Sequence, residues 1–569
     1  MTPNLFDYFE SSPSPSGGDP LQSTPSPNGA DHPWTARAPG SPNGSFDLIL
    51  VPRSPAWKDD PDSVAALAQI EAEPWVDTIV QDRGTARLRL SDAWIEAVGA
   101  ALEAGGTAEA PLTDLLHGQR FSVQFWDPNA TKALHAGHLR NLALGNGLAA
   151  ALAQAGGQVE RRSLISDMGR SMGEAMAGVM QSGRYVQGFS DADEKSDHFV
   201  GICYADYVAA GGVFTAGELE EPEDSLTREL RLQDDAANEL IVRTLHGEQE
   251  ALDLWYKTRA WVISGHRKTL ARLGIAFDRV LFESDFLPET AELAETGLHD
   301  QVLTRREDGV VIYNTGLEEL EQLSLVRADG LPTQHMRSLA YCMTAPELDQ
   351  VTSLQVTGTE WVSHLASVRK LAAELRPDSN SFHPSRTIFH GMVARQKRAL
   401  ASSEGALLID DLLGSLDSQI DGDPKRREVR RAHPSPERVA AQVALGFFLH
   451  HPAAADVEFD PDTLLGTEDS LGWDIARARA HHGGWVGIRS IPFARPADDP
   501  NYRFAVVQSE LYRRYLRLAV ERLDVWPLAH YLKRLIRWYL QSDRGEHVER
   551  VVQTLLDRSE RGLGLEGGR

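Results

Sequence analysis

The chain has 569 residues, 42% hydrophobic and 24% charged, with a formal net charge of −25, a composition that supports three or four ordinary globular domains. So acidic a balance argues against nonspecific coating of nucleic acid or an anionic membrane, although a specific nucleic-acid partner needs only a local basic face. No apolar run is long enough to span a bilayer, no basic-then-apolar leader opens the chain, and Cys203 and Cys342 form no CxxC pair; a cytoplasmic address is expected, with neither a disulfide framework nor a cysteine zinc site.

Residues 1–45 are rich in Ser, Pro, Gly and Asn and read as a disordered tail. Residues 46–110 read as a small α/β unit. It holds FDLILV, a helix around 64–71, and TARLRLSDAWIEAVGAALEA, a strand running into a helix capped by Ser91. From 111 to 435 strands alternate with helices, which argues for a parallel sheet. Its first strand is expected at 121–125, then a turn through Asp127, Pro128 and Asn129, then a small-residue helix from about 139 to 154. A strand at 160–165 follows. A helical insertion is expected at about 185–260, acidic and exposed around 217–235, and one helical stretch should cover 236–273. FDRVLFESDF, DGVVIYNT and residues 352–356 read as strands, with a helix after Trp361. Residues 436–569 read as all helix. Three basic clusters are candidate nucleic-acid faces or plain solvated helix faces: Lys425 to Arg427 with Arg430 and Arg431; Arg513, Arg514 and Arg517; and Lys533, Arg534 and Arg537.

The stretch QFWDPNATKALHAGHLRN carries the most chemistry. His135 and His138 stand three apart with Gly137 between them, where a strand and turn give way to a helix. Imidazoles donate to phosphate oxygens, glycine lets a base or ribose approach closely, and helix N-terminal amides favour anions. A strand, turn and helix of this kind is a unit of a doubly wound fold, whose ligands sit at the carboxyl ends of the strands. The bland reading is a helix start with two partly buried, hydrogen-bonded histidines.

Other segments follow it in order: SDMGRSMG at 166–173, GEQEALDLW, ARLGIAFDRVLFES and a closing RGLGLEGG. Together these resemble the arginyl-tRNA synthetases, a family of class I aminoacyl-tRNA synthetases. DPNATKALHAGHLRN is similar to that family's SPNxAKPLHxGHLRS, SDMGRSMG to its GDWGTQFG, and RLGIAFDRVLFES to its RLGVxFDxxxGES. SDAWIEAV resembles the end of its tRNA-elbow-binding domain, and SLGWDIARARA with the helices after it resembles its anticodon-binding bundle; both regions look shortened. The resemblance covers most of 46–569. It implies an α/β fold: a class I synthetase Rossmann-like catalytic domain at 111–435, a small N-terminal α/β domain at 46–110, and an all-α anticodon-binding-like bundle at 436–569. It implies a ligase that activates an amino acid with ATP as an aminoacyl-adenylate and transfers it to tRNA. Mg²⁺ would arrive with ATP, without a dedicated protein metal site. The implied partners are tRNA and a small amino acid, with no membrane, and the chain is expected to be a monomer. Two alternatives stand beside this reading: a paralogue feeding amide-bond formation in specialised metabolism, and a catalytically inactive pseudo-synthetase that binds tRNA or protein.

Activation joins a carboxylate to the α-phosphate of ATP and expels pyrophosphate, so charge on the phosphates must be offset. His135 and His138 are the candidate phosphate donors, Gly137 gives close access, and Lys132 is placed to neutralise a phosphate. Asn129, with His135, would hold the amino acid's charged backbone groups. The family's second signature is a mobile lysine-methionine-serine-lysine-serine loop. The matching stretch GMVARQKRALASSEGALLIDDLL keeps its flanks but not the loop itself. Ala399 stands for the first lysine and Ser403 for the second basic residue, so Lys397, Arg398, Ser402 and Ser403 are the ATP contacts left to expect. The resemblance also implies a precedent in which the lysine before the nucleotide motif, here Lys132, takes over.

The amino-acid pocket departs further. Gln124 replaces a family glutamate. QHMRSLAY replaces YLTRDIAY, so Gln334 stands for the pocket tyrosine and Ser338 for the guanidinium-binding aspartate, while Arg337 persists. The family's next glutamine falls at Glu360 or Trp361. A guanidinium favours bidentate carboxylates, so losing two of them is expected to weaken arginine binding, with Glu360 available to restore one charge.

Overall fold

The computed structural model describes residues 34–42, 45–53, 56–82, 84–104, 115–182, 194–211, 236–317, 320–344, 351–377, 382, 384–395, 398–399, 407–466, 470–483, 495–542 and 545–566. The acidic stretch 217–235 lies outside them, as do residues 1–33 of the expected tail.

The first described element already corrects an expectation. Strands β1 (Trp34–Arg37), β2 (Leu48–Pro52), β3 (Val76–Asp82) and β4 (Thr85–Leu90) form an antiparallel sheet in the order β1-β2-β4-β3. The expected tail boundary at 45 therefore falls inside this sheet. Composition hid the reason: Trp34 and Ala36 alternate inward, and the Trp34 ring is fully buried, edge-on to Trp57 at 4.7 Å. Its Nε1 donates to the Ser63 carbonyl at 2.9 Å. The helix Asp92–Glu103 begins at Ser91, whose Oγ accepts the Trp94 N–H, as a serine N-cap should.

The central sheet is parallel and five-stranded. In chain order its members are β5 (Arg120–Trp126), β6 (Gln158–Ile165) and β7 (Arg279–Phe282). After the antiparallel β8 (Thr304–Arg305), β9 (Val311–Leu317) and β10 (Leu320–Val326), it resumes with β11 (Thr352–Gly358) and β12 (Arg386–His390). Spatial order is β12-β11-β5-β6-β7. β5 is buried on both faces after its first residue, as a central parallel strand must be. Helix Ala136–Gln154 lies flat on it because Gly145 has no side chain: a Cβ there would come within 2.1 Å of the Phe125 side chain. The strand order reverses between β5 and β11, and that switch point fixes where a ligand can enter.

The expected single helical stretch over 236–273 is two helices, Ala236–Leu245 and Gln249–Leu273. Gly247, at φ +77°, turns the chain between them, a conformation glycine adopts without strain. With Ser196–Gly211 they cover the helix Arg170–Gln181 and bury a separate apolar cluster.

The C-terminal part is helical through Val439–Leu449, Leu471–Gly483, Pro500–Arg522, Trp526–Gln541 and Glu546–Gly562. These helices share one continuous apolar core with the first sheet and the central sheet. Arg503 locks the two ends of the chain together. Its guanidinium, 2% exposed, donates to Asp47 at 2.6 and 2.9 Å and to Asp92 at 2.8 Å. The basic clusters are not uniform faces. Lys533 and Arg517 are buried and Arg430 is paired with Asp417 and Asp421, whereas Arg534, Arg537, Lys425 and Arg431 are exposed. Among the described residues no helix is long and apolar enough to cross a membrane, and Cys203 and Cys342 are buried.

Candidate active site

A cavity of about 740 Å³ opens at the switch point, over the carboxyl ends of β5, β6 and β11. Gln124, Asn129, Lys132, His135, Gly137, His138, Gln334, Arg337, Ser338 and Glu360 all line it. These include every expected amino-acid contact and the nucleotide motif. Lys397, Ser402 and Ser403 lie outside the described residues. Arg398 contributes backbone to the short strand β14 (Arg398–Ala399), paired with β13 (Val393–Arg395), and its side chain is outside them.

His135 ends the turn and precedes the helix Ala136–Gln154. Its N–H donates to His138 Nδ1 at 3.1 Å, and the two rings lie 3.9 Å apart. An accepting Nδ1 leaves the hydrogen of a neutral His138 on Nε2. Burial first, and Lys132 second, push the His135 imidazole down to about 4. Burial, with the neighbouring His135, His266 and Lys132, holds His138 well below its ordinary value. Both rings are therefore neutral hydrogen-bond donors at pH 7. His135 Nδ1 is buried with no hydrogen-bond partner among the described residues.

Positive charge comes from Lys132. Its ammonium has no carboxylate partner among the described residues and sits 5.7 Å from the Tyr204 ring, with burial lowering its pKa. The loop that carries it is tied down at both ends. The Lys132 carbonyl accepts from His266 Nε2 at 2.8 Å. Ala136 N–H donates to Leu407 O at 2.7 Å, and Ile409 N–H to Leu134 O at 2.9 Å. Residue 407 is the first described after 400–406, so the exit of the second signature segment is hydrogen-bonded to the first signature.

The other half of the cavity holds residues that motif reading passed over. Gln124, 1% exposed, donates through Nε2 to Asp127 Oδ2 at 2.8 Å and accepts at Oε1 from the Tyr341 hydroxyl at 2.6 Å. Gln355, its register partner on β11, donates to the same Asp127 oxygen at 3.2 Å, and Leu164 N–H donates to Oδ1 at 3.1 Å. Asp127 is open to the cavity, yet the protein around that cavity pushes its carboxyl up to about 6. Glu283 and Arg337, each 5% exposed, form an ion pair at 2.6 Å. Ser166 Oγ adds a bond to Glu283 at 2.8 Å, and Arg337 Nη1 donates to the Pro332 carbonyl at 2.6 Å. Ser338 Oγ lies 3.0 Å from His364 Nε2, and burial pushes His364 down to about 3. Asp127 did leave a signal, since it stands where the family motif quoted above has serine. Glu283 and Tyr341 lay in quoted motifs, as the E of VLFES and the last residue of QHMRSLAY, but only the fold brings them to the cavity; His364 left no signal.

Among the described residues one group of ligand-type side chains lies elsewhere: Asp197, His198 and Asp410. The Lys195 ammonium already sits among them, 3.0 Å from Asp197, 2.7 Å from Asp410 and 2.6 Å from Thr269 Oγ1. A cation of the protein's own thus neutralises these carboxylates, and the group does not fit a metal site.

The family model described as tRNA synthetases class I (R), catalytic domain, matches residues 107–446. The chain belongs to that family. It is 26% identical over 373 residues to the arginine–tRNA ligase of Borrelia turicatae (strain 91E135), covering 64% of this chain and 60% of that one. It is 27% identical over 374 residues to that of Treponema denticola, covering 63% and 59%. The chain thus spans about 60% of the length of the curated relatives it matches. In fold it is similar to the arginyl-tRNA synthetase of Thermus thermophilus (TM-score 0.60, 19% identity, 94% of this chain and 95% of that chain). It is also similar to that of Plasmodium falciparum (0.59, 13% identity, 94% of each). At these identities the likeness shows the class I synthetase fold.

Proposed function

We propose that the chain is an ATP-dependent aminoacyl-tRNA ligase that activates an amino acid as its adenylate and passes it to tRNA. The observation that carries this is the convergence of Asn129, Lys132, His135, Gly137 and His138 on one cavity at the switch point. ATP would lie with its phosphates against the start of helix Ala136–Gln154. His138 Nε2 and the His135 ring would donate to phosphate oxygens, and Lys132 would offset the charge that grows as pyrophosphate leaves. These groups are held before substrate arrives, by His266 on one side and the 407–409 backbone on the other, so little reorganisation is needed in the transition state. Asn129 would hold the amino acid's backbone groups. Arg534, Arg537, Lys425 and Arg431 are the exposed cations placed to meet tRNA phosphates. Mg²⁺ would enter with ATP.

The test is amino-acid-dependent exchange of pyrophosphate into ATP over a panel of amino acids, with and without tRNA, because the resembled family needs tRNA for this step. Exchange is expected with at least one amino acid. Its absence throughout, in both arms, would leave the pseudo-synthetase reading in its place.

A further inference from the structure

We propose that the amino-acid half of the cavity takes an amino acid with an uncharged side chain, and that Asp127 is the carboxylate that holds its α-ammonium. This deepens the reading just given and rests on it.

Among the described residues three carboxylates line the cavity: Asp127, Glu283 and Glu360. Glu283 is buried and already committed to the Arg337 guanidinium and to Ser166. Glu360 stands exposed at the rim, where solvent screens a pair to little value. Asp127 remains. Its oxygens accept three hydrogen bonds, all from neutral N–H groups, out of roughly four lone-pair sites. No cation among the described residues is paired with it, and burial pushes its carboxyl up to about 6. An ammonium arriving at the end of β5 meets both an open acceptor and an unbalanced charge.

Every α-amino acid brings one ammonium, and Asp127 answers it. Arginine brings a second, permanent cation, and among the described residues no free buried carboxylate is left to answer that. The recess beyond presents Ser338, His364, Trp361, Leu365 and Val368. Ser338 Oγ and His364 Nε2 already face each other, and the His364 ring is neutral and edge-on to Trp361 at 5.1 Å. Arg337 also faces this wall, but its charge is balanced by Glu283. A guanidinium in such a recess would lose water without gaining a carboxylate. A neutral side chain that fills the apolar wall and meets the Ser338–His364 pair avoids that cost.

The experiment is equilibrium dialysis of the full chain with the twenty standard amino acids and citrulline, in the presence of a nonhydrolysable ATP analogue and tRNA. Citrulline keeps arginine's length and replaces its cation with a neutral urea. The tightest ligand is expected to be neutral, with arginine at least ~10-fold weaker. Arginine, lysine, aspartate or glutamate as the tightest ligand overturns the inference. Asp127→Asn should weaken every amino acid ~10-fold or more while binding of the ATP analogue shows that the cavity is intact; unchanged amino-acid binding removes Asp127 from its role. The pair Gln124→Glu and Ser338→Asp should raise arginine affinity at least ~10-fold, and no gain there contradicts the charge count. A neutral amino acid that binds without supporting exchange supports the inference and retires the proposed activity. No amino acid bound at all overturns both.

Discussion

The two halves of the cavity are built by opposite rules. On the nucleotide side, Lys132, His135 and His138 sit within one strand–turn–helix unit, and their geometry follows from local backbone: the His135 N–H to His138 bond and the helix start make the site. On the amino-acid side, β5, β11 and the helices Gln334–Thr344 and Val362–Leu375 each supply part of the wall, and the site exists only where they meet. A site of the first kind is hard to alter piecemeal. One of the second kind can be changed a residue at a time, and the family resemblance places such changes at Gln124, Gln334 and Ser338. Under the proposed function, ATP binding and choice of amino acid would rest on separable structure.

The comparison can be broken most severely on the nucleotide side. Replacing both histidines by alanine should lower exchange by ~10³-fold or more, since each removes a preorganised donor. The single variants sharpen this. His138→Asn keeps an acceptor for the His135 N–H but loses the Nε2 donor, whereas His138→Gln reaches the donor position and gives up the local acceptor. If the donor matters, the glutamine variant retains more kcat; if only the helix start matters, the asparagine variant does.

Next in size is the buried pair on the other side. Arg337→Met strands Glu283 and should cost about 3–5 kcal/mol in denaturant unfolding. The double change Arg337→Met with Glu283→Gln should recover much of that loss. No recovery would mean that Arg337 matters for packing rather than for charge. Lys132→Met should follow, with a ~10²-fold fall in kcat and a nearly unchanged melting temperature.

The smallest effect is on pH dependence. His135 and His364 have folded pKa values of about 4 and about 3, and His138 is lowered too, against about 6.5 in the unfolded chain. The unfolded state binds more protons in that window, so their contribution is fully present above about pH 6.5 and lost as pH falls toward 4. Asp127 works in the opposite sense between 3.8 and about 6, because its folded carboxyl holds the proton longer. Melting temperature should therefore fall on acidification below pH 6.5. His364→Ala should flatten that limb and Asp127→Asn should steepen it; a limb insensitive to either variant contradicts the burial argument.

Much of the fold was legible because period and punctuation carried it. β5, the helix after it and the Ser91 cap follow from alternation, small residues and a capping serine. The first strand was missed because Ser, Pro and Gly around it masked a two-residue inward alternation at Trp34 and Ala36. The helical break at Gly247 was missed because one glycine in a long periodic run is compatible with a continuous helix. In the site, the residues within one motif were readable and those that converge from afar were not. Asp127 was read as part of a turn, and only β6 and β11 beside it reveal a carboxylate held by Gln124, Gln355 and Leu164. Glu283 lay in a quoted motif, but nothing in sequence said that Arg337 had already claimed it.

The central claim is that one cavity keeps its nucleotide half and has rebuilt its amino-acid half. The most direct test is the ratio of kcat/KM for pyrophosphate exchange with arginine to that with the best neutral amino acid, measured on one preparation with tRNA present. The account predicts measurable exchange and a ratio below ~0.01, about 2.7 kcal/mol of discrimination. A ratio above one would contradict it.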